Sequence, residues 1–252
     1  MRLKLDDISH HFLSSTDSTH VLDHIRLEIQ SGEFVSVLGP SGCGKSTLLN
    51  VIAGLLNPTS GQIFVGDEKV PHAQSHAAYM QQKDLLLPWR RALPNAMLGA
   101  QLNKSNLDEA EIEARKLFEQ FDLAGYEQHY PSQLSGGMRQ RVALVRTLLT
   151  HRPLWLLDEP FGALDALTRM RLQDWILKAW QEVQQSILMV THDLDEALVL
   201  SNRIYVLTPR PAHIHATIEV SLPRPRDRMS VEFTEAKKAL WHVLSEVLSE
   251  DG

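Results

Sequence analysis

The chain has little of several things that would commit it to a large class of proteins. Only one cysteine stands among its 252 residues, so no disulfide framework can form and a reducing compartment is expected. No apolar run approaches the ~18 residues that cross a bilayer as a helix. The opening Met1-Arg2-Leu3-Lys4-Leu5-Asp6-Asp7 lacks the apolar core of a secretory leader. Positive charge is not in excess. The formal net charge of -6 gives a nucleic-acid partner no electrostatic help. Internal repeats and low-complexity segments are also missing. What remains is ordinary for a globular enzyme, with 43% hydrophobic and 22% charged residues. The length suits one large α/β domain or two small ones with a sizeable core. Any link with a membrane would have to run through a partner.

Against this plain background one stretch stands out, Gly39-Pro40-Ser41-Gly42-Cys43-Gly44-Lys45-Ser46-Thr47. It fits the phosphate-loop pattern of glycine, four residues, then Gly-Lys-Ser/Thr. The apolar run Phe34–Leu38 before it reads as a buried strand, and residues 47–53 after it read as a helix. The chemistry needs both. Glycines let successive backbone N–H groups turn inward around a phosphate, and the helix N-terminus adds its positive end. Lys45 can then reach the β- and γ-phosphates, while the Ser46 hydroxyl can ligate magnesium. A chance glycine-rich turn would match the fixed positions in roughly one chain in a hundred of this size, and the flanking strand and helix lower that further. A bound nucleoside triphosphate is therefore expected.

Pro153-Leu154-Trp155-Leu156-Leu157-Asp158-Glu159 forms a second anchor. Four apolar residues make a buried strand ending in two carboxylates. Asp158 at its tip can hold magnesium through water, and Glu159 can orient and deprotonate a water aimed at the γ-phosphate. Alone, the pattern would equally fit a core strand with a solvated acidic turn. Somewhat over a hundred residues after a phosphate loop, the catalytic reading prevails.

Around these anchors the pattern changes along the chain. Residues 1–33 read as strands broken by a polar loop at 14–20, and residues 62–66 as another strand. Residues 88–150 carry apolar positions at helical spacing, among them Ile112, Leu117, Phe118 and Phe121, and read as a helical insertion. Strand and helix signals then alternate at 154–157, 170–183, 186–190 and 204–207. Residues 231–248 place Phe233, Leu240, Val243, Leu244 and Val247 on one face of a terminal helix. The expected fold is α/β: a mainly parallel sheet flanked by helices, with the phosphate loop at the carboxyl ends of its strands. A small antiparallel β-subdomain comes from the first third and a helical subdomain from the insertion.

Leu134-Ser135-Gly136-Gly137-Met138-Arg139-Gln140-Arg141 can act as a second anion cradle, a serine hydroxyl and glycine N–H groups at a helix N-terminus. With the two anchors it makes the chain resemble the ABC (ATP-binding cassette) ATPases from about residue 2 to 215. The resemblance implies an α/β P-loop NTPase core of the ABC type, residues 1–230, with the helical subdomain at about 88–150 and the tail helix 231–252 packed on it. It also implies a dimer of two copies with ATP and Mg2+ sandwiched between the phosphate loop of one and Ser135, Gly136 and Gly137 of the other. Carried over by position, Phe12 stands where an aromatic stacks on adenine, although a subdomain-core aromatic would also fit. Gln82 matches the glutamine that senses magnesium and the attacking water; Gln81 competes, but the distance to Pro88 favours Gln82. Asp165, in Ala163-Leu164-Asp165, matches the loop that crosses the dimer interface, and His192 matches the switch histidine at the γ-phosphate. The other eleven of the 12 histidines, His10 and His11 among them, lack metal-ligand spacing and are expected at the surface.

Two positions depart from the family pattern. Met138 replaces a frequent glutamine, and Cys43 sits at a variable position of the phosphate loop, where it is expected to act as structural filler with a thiol that is modifiable when nucleotide is absent. Leu85-Leu86-Leu87-Pro88-Trp89-Arg90 resembles the importer subfamily that serves nitrate, sulfonates, taurine and thiamine-pyrimidine precursors. So do Pro209-Arg210-Pro211-Ala212-His213-Ile214 and Leu222-Pro223-Arg224-Pro225-Arg226-Asp227. That likeness implies a motor subunit bound peripherally at the cytoplasmic face of the cell membrane. Its partners would be an integral permease and, indirectly, a solute-binding protein, with no nucleic acid. A soluble ABC ATPase acting on nucleic acid or a macromolecular assembly is the alternative.

Overall fold

A computed structural model describes residues 1–13, 18–103 and 106–249. In chain order the first part runs β1 (Leu3–Leu13), β2 (Ser18–Ile29), β3 (Phe34–Leu38), α1 (Lys45–Ile52), β4 (Ser60–Val65), β5 (Glu68–Val70) and β6 (Ala77–Met80). Four helices follow: α2 (Ala92–Ala96), α3 (Leu98–Leu102), α4 (Leu107–Gln120) and, after a 3-10 turn at Pro131–Gln133, α5 (Gly136–Leu148). The remainder alternates as β7 (Leu154–Asp158), α6 (Ala166–Val183), β8 (Ser186–Val190), α7 (Leu194–Leu200), β9 (Arg203–Leu207), β10 (Ile214–Glu219) and α8 (Val231–Ser249).

The strands form two sheets. One has four strands in the order β2-β1-β4-β5, all pairs antiparallel. The other has six in the order β10-β9-β3-β8-β7-β6, parallel except for the edge pair β10–β9. In β3, β7 and β8 every residue is buried, as expected of parallel strands covered on both faces. Their side chains alternate between two cores. Val35, Val37, Leu154, Leu156, Leu188 and Val190 join the antiparallel sheet and α1. Phe34, Leu38, Trp155, Leu157, Ile187 and Met189 join the helices that follow β6. The six-stranded sheet therefore separates a β-layer from a helical layer, and the ends of β3, β7 and β8 open on the same edge.

Several local expectations shift. The strand β2 already includes Ser18, Thr19 and His20, and residues 14–17 of the expected loop lie outside the described residues. Ile112 is 58% exposed; the buried stripe of α4 is Ala110, Ala114, Leu117 and Phe118. Ala110 and Ala114 carry too little apolar weight to mark that face in the sequence. His10 is 6% exposed, because β1 carries register shifts on either side of it that turn it inward, and its Nδ1 lies 3.0 Å from the Asn57 carbonyl oxygen. On α8, Phe233, Leu240, Leu244 and Val247 are buried, and Lys237 pairs with Asp195 of α7 at 2.8 Å. No helix among the described residues is long and apolar enough to cross a membrane.

Candidate active site

The phosphate loop is the turn from the carboxyl end of β3 into α1. Gly44, the N-cap of α1, has φ +129, and a Cβ there would lie 3.0 Å from the Val21 Cγ1. Both conformation and space exclude a side chain. No side chain caps α1, so its first N–H groups are left for a ligand rather than satisfied internally. Lys45 Nζ donates to the carbonyls of Gly39 and Pro40, each at 2.8 Å, which parks the cation across the mouth of the loop. Gly42, Ser46 and Thr47 line the same cavity of about 260 Å³. Cys43 is the expected filler but not the expected accessible thiol: it is 2% exposed, its sulfur packs beneath Gly39, and burial raises its thiol pKa. It fills the loop from inside, and its thiol is shielded from solvent.

The strand β7 delivers the two carboxylates. Asp158, its last residue, is 2% exposed and accepts from Ser46 Oγ at 3.1 Å and from the Tyr79 hydroxyl at 3.4 Å. Burial raises its pKa, and the Ser46 hydrogen bond opposes the rise. Glu159, one residue on, has a positive φ of 49. The left-handed backbone costs a non-glycine residue about 1–3 kcal/mol and recurs where function requires it. Here it swings the carboxylate out of the strand direction and into the cleft. Glu159 Oε2 accepts from Gln82 Nε2 at 3.2 Å and Oε1 lies 3.1 Å from His192 Nδ1. Gln82 rather than Gln81 thus meets the acidic pair.

Not all the expected residues converge. Ser135, Gly136 and Asp165 are exposed. Ser135 caps α5 by accepting from Met138 N at 3.2 Å, and Asp165 caps α6 by accepting from Thr168 N at 3.1 Å. Hydrogen bonding to Thr168 lowers the Asp165 pKa. Gly136 lines a cavity of about 600 Å³ together with Gln82, Glu159 and His192, and no residue of the phosphate loop reaches it. Gly137 sits 3.2 Å, measured from a Cβ placed on it, from the Ala163 carbonyl, so the signature turn abuts the loop that follows β7. Phe12, on β1, is 45% exposed and meets His10 edge-on at 4.7 Å. It is not a core aromatic, and it lies outside both of these cavities.

The residues that hold the site in place are not marked in the sequence. Gln140, 7% exposed on α5, donates from Nε2 to the Glu159 carbonyl at 2.9 Å and accepts from Ala163 N at 2.9 Å. One amide thus clamps both ends of the turn that carries Glu159. Behind His192, Glu196 is 4% exposed and accepts from Thr191 Oγ1 at 2.6 Å and Gln173 Nε2 at 3.3 Å. Burial pushes its pKa up to about 7. Arg169 of α6 reaches Asp193 at 3.3 Å. Arg139 and Arg146 of α5 hold the segment after Gln82, at Asp84 Oδ2 and at the Leu85 and Asp84 carbonyls. Single polar residues spread over three helices give no local pattern, so only the fold could reveal them.

This geometry can be set beside known proteins. The sequence pattern of the ABC transporter family matches residues 22–162. The chain is 42% identical to an uncharacterized ABC transporter ATP-binding protein of Methanocaldococcus jannaschii, over 98% of this chain and 92% of that one. It belongs to the ABC transporter family. Within that family it is 40% identical to the aliphatic sulfonates import ATP-binding protein SsuB of Bacillus cereus, with 94% of each chain covered. A dimeric post-hydrolysis structure of the ATP-binding cassette MJ0796 with ADP and Pi superposes with a TM-score of 0.79 at 28% identity. That match covers 88% of this chain and 100% of the other. The fold is that of an ABC ATPase cassette, and this chain is an ATP-binding ATPase of that class.

Proposed function

We propose that this ATPase is the motor subunit of an importer whose permease is a separate membrane chain. The solute class is aliphatic sulfonates, nitrate, taurine or a thiamine-pyrimidine precursor. The observation that carries the reading is the likeness to the sulfonate import protein over 94% of both chains. The working unit in this proposal is a dimer of two copies, held peripherally at the cytoplasmic face of the membrane, with the signature turn of each copy closing on the ATP of the other. The exposure of Ser135 and Gly136, away from the phosphate loop of their own chain, favours a site completed in trans.

In the proposed mechanism the phosphate loop and the free first turn of α1 bind the triphosphate, and Lys45 turns from its two loop carbonyls to the β- and γ-phosphates. Glu159 accepts the proton of the attacking water, while Gln82 and His192 hold its two oxygens in place. The Ser46 hydroxyl, hydrogen-bonded to the Asp158 carboxylate, and Gln82, which lines the same cavity as Ser46, would offer oxygen donors only, which fits a Mg2+ ion that keeps several of its waters. Bound there, the ion would neutralise developing phosphate charge.

Gln140 is a positioning residue in this scheme. Changing Gln140 to Ala frees the Glu159–Ala163 turn, and kcat is expected to fall by about tenfold or more. The dissociation constant for ATP should stay within about twofold, because the phosphate loop is untouched. A parallel loss of binding and turnover in equilibrium and steady-state assays would overturn this assignment.

Coupling to the permease runs through the segment after Gln82. Leu86 is 7% exposed and belongs to the core, whereas Trp89 is 71% exposed; only part of the apolar run can therefore face a partner. Asn95, fully buried, accepts from Leu87 N at 2.8 Å and donates to the Leu87, Arg90 and Arg91 carbonyls, which stiffens the backbone under Trp89. An exposed tryptophan on a rigid loop is suited to anchor in a partner pocket. Trp89→Ala should leave ATP binding and the thermal midpoint of the isolated subunit unchanged, but weaken assembly with its permease and solute uptake. Wild-type assembly and uptake would remove the docking role.

The function itself is tested by deletion and complementation. A strain lacking this gene should lose growth on aliphatic sulfonate, taurine or nitrate as sole sulfur or nitrogen source, or on a thiamine-pyrimidine precursor, and Glu159→Gln should not restore it. Normal uptake of all four, with RNA or DNA bound to the purified protein, would replace the importer reading with that of a soluble ATPase acting on nucleic acid.

A further inference from the structure

The loop between β9 and β10 brings a second cation to the phosphate loop. In the sheet β9 lies beside β3, with Leu38 opposite Val206, so both strands end on the same edge. Gly39 packs so closely against the end of β9 that a Cβ there would lie 3.1 Å from the Leu207 Cβ. Beyond β9 the chain closes on itself. Thr208 N donates to the His213 carbonyl at 3.1 Å and His213 N donates to Thr208 Oγ1 at 2.9 Å. Ala212, fully buried, donates to the Val21 carbonyl and accepts from Asp23 N, both at 2.9 Å. The base of the loop is thereby fastened to itself and to β2. Its tip is Pro209-Arg210-Pro211, with the backbone angle φ on each side of the arginine fixed by a proline ring.

Arg210 is exposed at that tip, and among the described residues it forms no hydrogen bond or ion pair. It lines the cavity of about 260 Å³ that also holds Lys45, Ser46 and Glu159. It also lines a neighbouring cavity of about 410 Å³ against Ser41 and Gly42. The other arginines beside catalytic segments are occupied: Arg139 by Asp84, and Arg169 by Asp193. An unpaired guanidinium held on a rigid turn beside an anion cradle matches the fork geometry by which arginine binds phosphate oxygens.

We infer that Arg210 is a further nucleotide-binding residue, engaging the terminal phosphate of ATP from the side of the phosphate loop opposite Asp158. Arg210 shares that cavity with Glu159 and Gln82 as well as with the loop, which supports a contact at the γ end of the triphosphate, on the reading of Glu159 given above. It should therefore add selectivity for ATP over ADP.

Titration calorimetry of the purified protein with ATP and ADP, each with Mg2+, tests this. Arg210→Ala should weaken ATP by about tenfold, the low end for a charge-assisted hydrogen bond at an exposed site, and ADP by less than about threefold. Arg210→Lys, which keeps the charge without the fork, should lie between Arg210→Ala and wild type. The thermal midpoint without nucleotide should not move. Unchanged ATP affinity, or equal losses for ATP and ADP, would overturn the inference. So would unchanged affinity with lost ATP-dependent dimerisation, since the guanidinium would then serve the second copy instead. Lys45→Ala, run alongside, separates the two levels. If it abolishes binding while Arg210→Ala leaves ATP affinity unchanged, only Arg210 loses its role; if it binds normally, the phosphate-loop reading falls as well.

Discussion

Glu159→Gln is expected to bind ATP normally and to lose about a hundredfold or more of its turnover. The substitution is nearly isosteric, so the left-handed turn, the Gln140 clamp and the hydrogen bond between the Val190 carbonyl and the Glu159 N–H at 2.9 Å all remain. What disappears is the ability to accept a proton, which is worth ~10² to 10⁴ in rate where a side chain acts as general base. Lys45, Ser46 and the first turn of α1 are unaffected, so the dissociation constant for ATP should stay within about twofold. With ATP trapped unhydrolysed, the variant should accumulate as a dimer, and size-exclusion chromatography in ATP and Mg2+ would detect it. Near-normal steady-state hydrolysis would move the base to another residue.

How far this site could be read from the sequence depends on where each residue draws its role. The phosphate loop and the Asp158-Glu159 strand were legible because both are continuous. Their chemistry requires glycine, lysine and paired carboxylates at fixed spacing beside buried runs, and those runs become β3 and β7. The arrangement of two sheets and a helical subdomain followed from the same logic, strand signals before and after a stretch of helical spacing. Ile112 shows where such reading fails. A single large apolar residue outweighs two alanines in a periodicity count, yet the alanines let α4 pack closely. Cys43 shows another limit, since the tight turn of the phosphate loop folds a variable position inward. Gln140 and Arg210 lie in segments that the sequence does single out, but nothing local ties either side chain to the phosphate site. Gln140 matters because α5 passes beneath the turn after β7, and Arg210 because β9 lies next to β3. Both are consequences of topology.

The composite site makes the sharpest demand on the proposed dimer. Lys45→Ala removes the cation of the phosphate loop, and Ser135→Arg fills the signature turn with bulk and charge. Either variant alone carries one lesion in each of the two sites of its homodimer, and neither homodimer is expected to retain ATP. Mixing them redistributes the damage. One site of the heterodimer receives both lesions, while the other combines an intact phosphate loop from the Ser135→Arg copy with an intact signature turn from the Lys45→Ala copy. A heterodimer isolated through two different tags should therefore hold one ATP, a difference that nucleotide retention after rapid desalting would resolve. Loss of the Ser135 cap costs the helix only about 0.5–2 kcal/mol. The buried face of α5, from Val142 to Leu148, should keep the copy folded, and its unaltered circular dichroism would verify that. If nucleotide retention is equally absent in all three species, Ser135 and Lys45 do not meet across the interface, and the nucleotide site belongs to a single chain.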